Sequence, residues 1–338
     1  MATIEDILDP HCVSQLLNKH LNKSELHWSN IVVHDVQIIK ENIIHDYYSI
    51  VVAYPISYSH NGENHQAVVY CSAHSNDSRR QAMENLEFIW RQNIPGEQFP
   101  TNQPLFYDSQ YGAMFYLGLP GDNFYEYFTN HSREEIESQL APIAQWLARL
   151  HSLTLGFNGW PESRVQKLGQ VVPGRERALE KIQRSTPQYY ERFVRIYDCL
   201  EAWENKLWPT PDKLAIIHGD LHPENIIITE KGAAIIDWSD ACLGDPLRDV
   251  GSFSQQLIFM GLGQINDEPY WRRAQDMFLS AYRQAMGDNL PNNWLEHFRL
   301  YYYFTAFRTA IYFVTKSGPE PERAEGLLEE IEINLLYL

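Results

Sequence analysis

No glycine precedes Gly62 in this chain. Glycine lets the main chain approach a phosphate closely, so a glycine-rich phosphate loop is excluded from that first stretch. Basic residues are also scarce. Lys and Arg number 27 against 44 Asp and Glu, for a net charge of −17. Such a balance repels nucleic acid and anionic membrane, and neither is expected as a partner. A cationic small molecule is compatible with it, although an acidic solvated surface explains it as well. The four cysteines, Cys12, Cys71, Cys199 and Cys242, form no Cys-x-x-Cys pair, which argues against a zinc or redox motif and for a reducing compartment. No apolar run approaches the ~18 residues of a membrane span. The start, Met-Ala-Thr-Ile-Glu-Asp, lacks the basic and apolar regions of a signal peptide. A cytoplasmic location is expected.

What is present is ample. A chain of 338 residues with 44% hydrophobic content holds two domains or one large two-lobed one. Its most informative stretch runs from Leu214 to Val250. Leu214–Ile217 is apolar and ends at a polar loop, and Pro223 stops strand or helix there. Ile226–Thr229 and Ala233–Ile236 are two short apolar runs separated by Glu230-Lys231-Gly232, a hairpin signal with Gly232 free to take a positive φ. Asn225 and Asp237 therefore sit at the ends of neighbouring strands, with Asp220 in the loop before them. An Asp that takes a hydroxyl proton, an Asn shortly after it and an Asp beyond a hairpin form the layout that phosphoryl transfer needs. Mg²⁺ prefers oxygen ligands, which Asn and Asp supply.

The residues His218-Gly219-Asp220-Leu221-His222-Pro223-Glu224-Asn225, with Ile236-Asp237-Trp238, Gly244-Asp245-Pro246 and Asp249, closely resemble the aminoglycoside phosphotransferase family, within the choline-kinase-like and protein-kinase-like group. Gly219 stands where protein kinases usually carry Arg, and Trp238-Ser239 where they carry Phe-Gly, which favours the small-molecule branch. The resemblance implies an α+β, bilobal protein-kinase-like fold. Residues 1–116 would form a small N-terminal lobe of antiparallel sheet plus helix. Residues 117–338 would form a larger, mostly helical lobe. It implies Asp220 as catalytic base, Asn225 and Asp237 as Mg²⁺ ligands, and ATP or GTP as donor to a hydroxyl of a small molecule. His218, Arg248 and Asp249 would have supporting roles, Asp249 as cap of the helix that follows. Glu84, Leu117 and Leu119 would lie on the nucleotide side, Met114–Leu117 serving as the hinge. A core strand followed by a turn explains that last segment equally well.

Elsewhere the pattern is coarser. Residues 4–21 carry a helical face interrupted by Pro10. Tyr47–Ala53 and Ala67–Cys71 read as strands around an Asn61-Gly62 turn, and Ser78–Arg91 as a helix. Ser132 and Glu135 make a capping box for a helix reaching Leu153, kinked at Pro142. His151 on that helix reads as a packing residue. Residues 155–173 are loop-rich, and 175–208 are helical in pattern. Segments 249–260, 269–286, 291–316 and 320–332 also repeat at helical spacing. The run Tyr301-Tyr302-Tyr303-Phe304 is better read as core than as a cation-binding cage.

Two features depart from the family. Kinases carry a strand Lys that reaches the phosphates and pairs with a helix Glu. Counting back from Glu84 puts Tyr70 near that position, and the strand Ala67–Cys71 has no Lys or Arg. The glycine-rich loop is missing as well, so Lys40, Arg79 or Arg80 would have to supply the charge. Two functions therefore stand, a small-molecule O-phosphotransferase and a pseudokinase-like binding protein. The alternation His218-x-Asp220-x-His222 also permits a hydrolytic metal site, but that would leave Asn225 and Asp237 without a role.

Overall fold

The computed structural model describes residues 4–44, 47–91, 100–156 and 165–335. Two compact units emerge, Met1–Asp122 together with Ile227–Asp240, and Asn123–Ile226 together with Ala241–Leu338. The Ile226–Ile235 hairpin, assigned by sequence to the second lobe, thus clusters mainly with the first.

The first unit is built on a six-stranded antiparallel sheet in the order β1-β3-β4-β6-β5, with β2 also paired to β3. Its strands are β1 (Ser29–Val33), β2 (Gln37–Ile44), β3 (Tyr47–His60), β4 (Glu63–His74), β5 (Gln103–Asp108) and β6 (Ala113–Leu117). Both expected strands extend well past their apolar cores. Asn61 and Gly62 both take positive φ, 52° and 83°, so a type I′ turn closes the β3–β4 hairpin with His60 opposite Glu63. Alternate residues of β3, Val52, Tyr54 and Ile56, are buried against Val69, Cys71 and Phe115. Helix α1 (Pro10–Leu21) adds Val13, Leu17 and Leu21 to that core. Pro10 does not interrupt a helix. It occupies the first turn, where its missing N–H costs nothing, and Asp9 caps the helix through Cys12 N. A separate 3₁₀ turn, Ile4–Leu8, precedes it. Helix α2 (Ser78–Arg91) buries Ala82, Leu86 and Ile89.

The second unit is mostly helical. After the two-residue strand β7 (Asp122–Asn123) come α3 (Phe124–Asn130) and α4 (Arg133–Thr154). Ser132 and Glu135 form the capping box of α4, which runs through Pro142. The expected 175–208 helix is two helices, α5 (Arg175–Ser185) and α6 (Tyr190–Leu207). Pro187 explains the break, since it cannot donate to a continuing helix and pushes Thr186 out of the helical region. Residues 157–164 of the loop-rich stretch lie outside the described residues. Strand β8 (Ala215–Ile217) pairs antiparallel with β11 (Cys242–Gly244). Between them in sequence, β9 (Ile226–Thr229) and β10 (Gly232–Ile235) form the expected hairpin, with Gly232 at φ 118°. Helices α7 (Leu247–Leu262), α8 (Glu268–Met286), α9 (Trp294–Thr315) and α10 (Pro321–Leu335) complete the unit. Helix α9 is apolar nearly all round, as suits a helix enclosed by others. Tyr301, Tyr302 and Phe304 are buried in it, the core role expected of them. A Cβ on Gly251 would lie 2.6 Å from Tyr302 N, so only glycine permits this approach of α7 to α9. Among the described residues no helix is long and apolar enough to cross a membrane.

Candidate active site

The loop from His218 to Asn225 is held by Asp249. This carboxylate is buried and accepts His218 N at 2.6 Å and Gly219 N at 2.9 Å, with His151 Nε2 at 3.2 Å. Asp249 was expected to cap a helix. It lies inside the first turn of α7, and Asp245 instead accepts Leu247 N at the start of that helix. Its carboxylate is instead taken up by the N–H groups of His218 and Gly219 on the neighbouring loop. Burial works to raise the Asp249 pKa. The bonds from His151 and Gly219 and the neighbouring His218 outweigh it, and the carboxyl is held below its ordinary value. His151 is itself buried, with Nδ1 2.8 Å from Tyr282 OH, in the packing role read from sequence. Arg248, also buried, donates to Gly219 O and to Gln166 Oε1, both at 3.2 Å. Gly219 has φ 87°, so one glycine presents its N–H to Asp249 and its carbonyl to Arg248. His218 is fully buried beside it.

At the end of this braced loop lies Asp220, its side chain 38% exposed. Arg308 of α9, which the sequence reading passed over, donates to Asp220 Oδ1 at 3.1 Å. Burial pushes the Asp220 pKa up. The charge of Arg308, with His222 and His218, pulls it further down, and the net shift is downward. The group is a carboxylate at neutral pH. Asp220 and Arg308 line one cavity of about 730 Å³, contained within the second unit.

Asn225 is locked by two contacts. Its Nδ2 donates to Asp220 O at 3.0 Å and to His222 Nε2 at 3.1 Å. His222 therefore has a positioning contact that sequence did not suggest. The amide nitrogen is thus spent on the protein. Asp237 belongs to the other unit. It sits at φ 61°, a left-handed conformation unusual for a non-glycine residue. Ser239 Oγ donates to its Oδ1 at 2.6 Å, which orients the carboxylate in a tight turn. Both residues offer hard oxygen donors of the type Mg²⁺ takes. Among the described residues no three His, Cys, Asp or Glu side chains group as metal ligands.

The first unit also carries the residues expected on the nucleotide side. Leu117 ends β6, and its carbonyl accepts Asn102 Nδ2 at 3.0 Å. Leu119 follows, half-buried, and Glu84 is exposed on α2. Tyr70 stacks on Tyr116 at 5.7 Å between ring centroids. A Cβ on Gly118 would meet the Tyr70 ring at 2.6 Å. Helix α2 is tied to the turn after Asp237 by Asn85, whose buried Nδ2 donates to Trp238 O at 2.9 Å. Burial and the Asp237 carboxylate push the Tyr116 phenol up, and Arg79 acts in the opposite direction. Arg79 Nε is buried without a hydrogen-bond partner among the described residues. Arg80, by contrast, is paired with Asp77 and lies over the Tyr107 ring.

The model of the phosphotransferase enzyme family matches residues 69–303, which take in the braced loop, Asp220, Asn225, Asp237 and Asp249. The chain belongs to that family. Among curated proteins this phosphotransferase-family chain is similar to acyl-CoA dehydrogenase family member 11 of Pongo abelii, at 26% identity over 215 residues, 57% of this chain and 26% of that protein. It spans between 21% and 34% of the length of the curated relatives it matches. Among solved structures, choline kinase from Cryptosporidium parvum Iowa II aligns with TM-score 0.65 and 11% identity, covering 96% of this chain and 95% of that one. An amicoumacin kinase in complex with AMP-PNP, Ca²⁺ and Ami aligns with TM-score 0.61 and 14% identity, covering 88% of each. These likenesses show the protein-kinase-like fold, the α+β class expected from sequence.

Proposed function

We propose that the chain is a small-molecule O-phosphotransferase with ATP or GTP as donor. The observation that carries this reading is Asp220, an ionised carboxylate at the end of a loop braced by Asp249 and Arg248, opening on a cavity large enough for a small acceptor. Arg308 donates to Oδ1 of Asp220, and Oδ2, with His222 Nε2 3.9 Å away, would receive an acceptor hydroxyl. That hydroxyl oxygen bonds to the γ-phosphorus, the bond to the nucleoside diphosphate breaks, and the hydroxyl proton passes to Asp220. The lowered pKa keeps the carboxylate in the form that can take that proton. Asn225 Oδ1 and the Asp237 carboxylate are each an oxygen donor of the kind that would hold a hard divalent cation, which would supply charge neutralisation at the phosphates. Leu117, Leu119 and Glu84 belong to the nucleotide side on this reading. In place of the strand Lys, we assign the phosphate-facing charge to Arg79. Its Nε has no hydrogen-bond partner among the described residues, whereas Arg80 is already engaged.

The Tyr70–Tyr116 stack at the strand-Lys position favours a second reading, a binding protein without catalysis. Thermal-shift titration with ATP, GTP and Mg²⁺ separates the two. Stabilisation by Mg²⁺-nucleotide, with nucleotide consumption in the presence of hydroxylated acceptors, is expected. No shift at millimolar nucleotide overturns the enzyme reading, and a shift without consumption favours the binding protein.

A further inference from the structure

One face of α9 runs along the cavity that contains Asp220. Thr305, Arg308, Thr309, Tyr312 and Lys316 recur at helical spacing, and all five line it. Arg308 marks the end at Asp220. Lys316 lies about 12 Å further along the helix, at 1.5 Å per residue. Helix α5 joins that far end, where Ser185 Oγ donates to Val314 O at 2.9 Å and Lys181, one turn earlier, also lines the cavity. Arg323 of α10 completes a cationic end. Four basic side chains line this cavity against two acidic ones, Asp220 and Glu224, in a chain that carries −17 overall. Charge of that sign, gathered in a cavity against the prevailing charge of the molecule, calls for a reason. Part of it is internal, since Lys316 and Arg323 share Glu320. Lys181 has no ion-pair partner among the described residues. The lining also carries apolar Phe259, Met260 and Phe313, with Phe313 under Arg323 at the cationic end and Thr309 bonded to Gln256 midway along the helix face.

We infer that the acceptor is an amphiphilic hydroxylated anion, its hydroxyl at Asp220, its apolar body along α9, and its carboxylate or phosphate received by Lys181 and the cations at the far end. This rests on the phosphotransferase reading and deepens it. An extended molecule fits better than a compact one because the oxygen acceptor and the cations stand at opposite ends of one helix face. A cationic acceptor, compatible with overall composition, would meet like charge at the far end.

The test is isothermal titration calorimetry on the whole chain without nucleotide, using decanediol, ω-aminodecanol, ω-hydroxydecanoate and ω-hydroxydecyl phosphate. At least one anionic probe is expected to bind about tenfold or more tighter than the diol, the gain of a charge-assisted contact. Comparing the two anions distinguishes carboxylate from phosphate recognition. Lys181→Glu, at an exposed site, is expected to erase most of that advantage and leave diol binding unchanged. Equal binding of all four probes, preference for the aminoalcohol, no binding, or an indifferent Lys181→Glu each overturn the inference. Nucleotide consumption with the same probes keeps the two readings apart. Anion binding without phosphorylation upholds the anion site and sinks the transferase. Phosphorylation of the diol or aminoalcohol but of neither anion does the reverse.

Discussion

The two compact units handle charge in opposite ways. In the second, the catalytic-type loop is fastened by buried ionic and polar groups. Asp249 takes two successive backbone N–H groups, Arg248 takes the carbonyl between them, and Arg308 faces the exposed carboxylate of Asp220. In the first, the strand Ala67–Cys71 carries no Lys or Arg and sets Tyr70 in a stack against Tyr116, with Arg79 of the neighbouring helix opposing the upward push on the Tyr116 phenol. On the phosphotransferase reading, the contrast is that a base and its support need fixed geometry, whereas charge for phosphates can come from a different element. A proton acceptor works only within hydrogen-bond reach, while a guanidinium reaches several ångströms from its own backbone.

The largest expected effect breaks that comparison outright. Asp220→Asn should lower kcat by about a hundredfold or more while leaving nucleotide affinity nearly unchanged, the range for loss of a general base. Steady-state kinetics with a nucleotide-binding titration check this, and retained kcat would remove Asp220 from the base role. Next comes the brace. Asp249→Ala strands two buried backbone donors and His151, and should destabilise the fold by about 3 kcal/mol or more. Because the folded pKa of Asp249 is depressed, its contribution is complete above the unfolded value and is lost as pH falls through the folded one. Denaturant melts at neutral and acid pH should therefore converge for wild type and variant on the acid side.

A smaller effect sharpens the comparison on the other unit. Arg79→Ala should weaken nucleotide binding by about tenfold, the loss of one charge-assisted contact, and leave stability unchanged. Unaltered affinity would pass the role to another cation. The smallest effect is a displacement of pH dependence. Asp220 must be ionised, so kcat/KM should fall as pH drops through its lowered pKa. Arg308→Leu removes the leading downward influence and leaves burial to act, which should move the acid limb to higher pH.

The hairpin was legible because turn chemistry is local. Glu230-Lys231-Gly232 between apolar runs and Asn61-Gly62 between strands each specify a turn without help from distant residues. The capping box at Ser132 and Glu135 was legible for the same reason. Asp249 was misread because a short-range rule, that Asp caps helices, competed with a partner thirty residues upstream, the loop N–H groups. The split of α5 from α6 was missed because helical periodicity continues across Pro187 while the backbone does not.

The chain's own pattern was sufficient for the family and the fold class, since loop spacing and strand alternation are carried by adjacent residues. Tertiary structure alone brought Arg308 to Asp220 across eighty-eight positions of sequence, set Asn85 against Trp238 O, and gathered Lys181, Lys316 and Arg323 at one end of a cavity. Those encounters depend on how helices pack. Packing is settled by buried surface summed over the whole unit, and no short stretch of sequence records it.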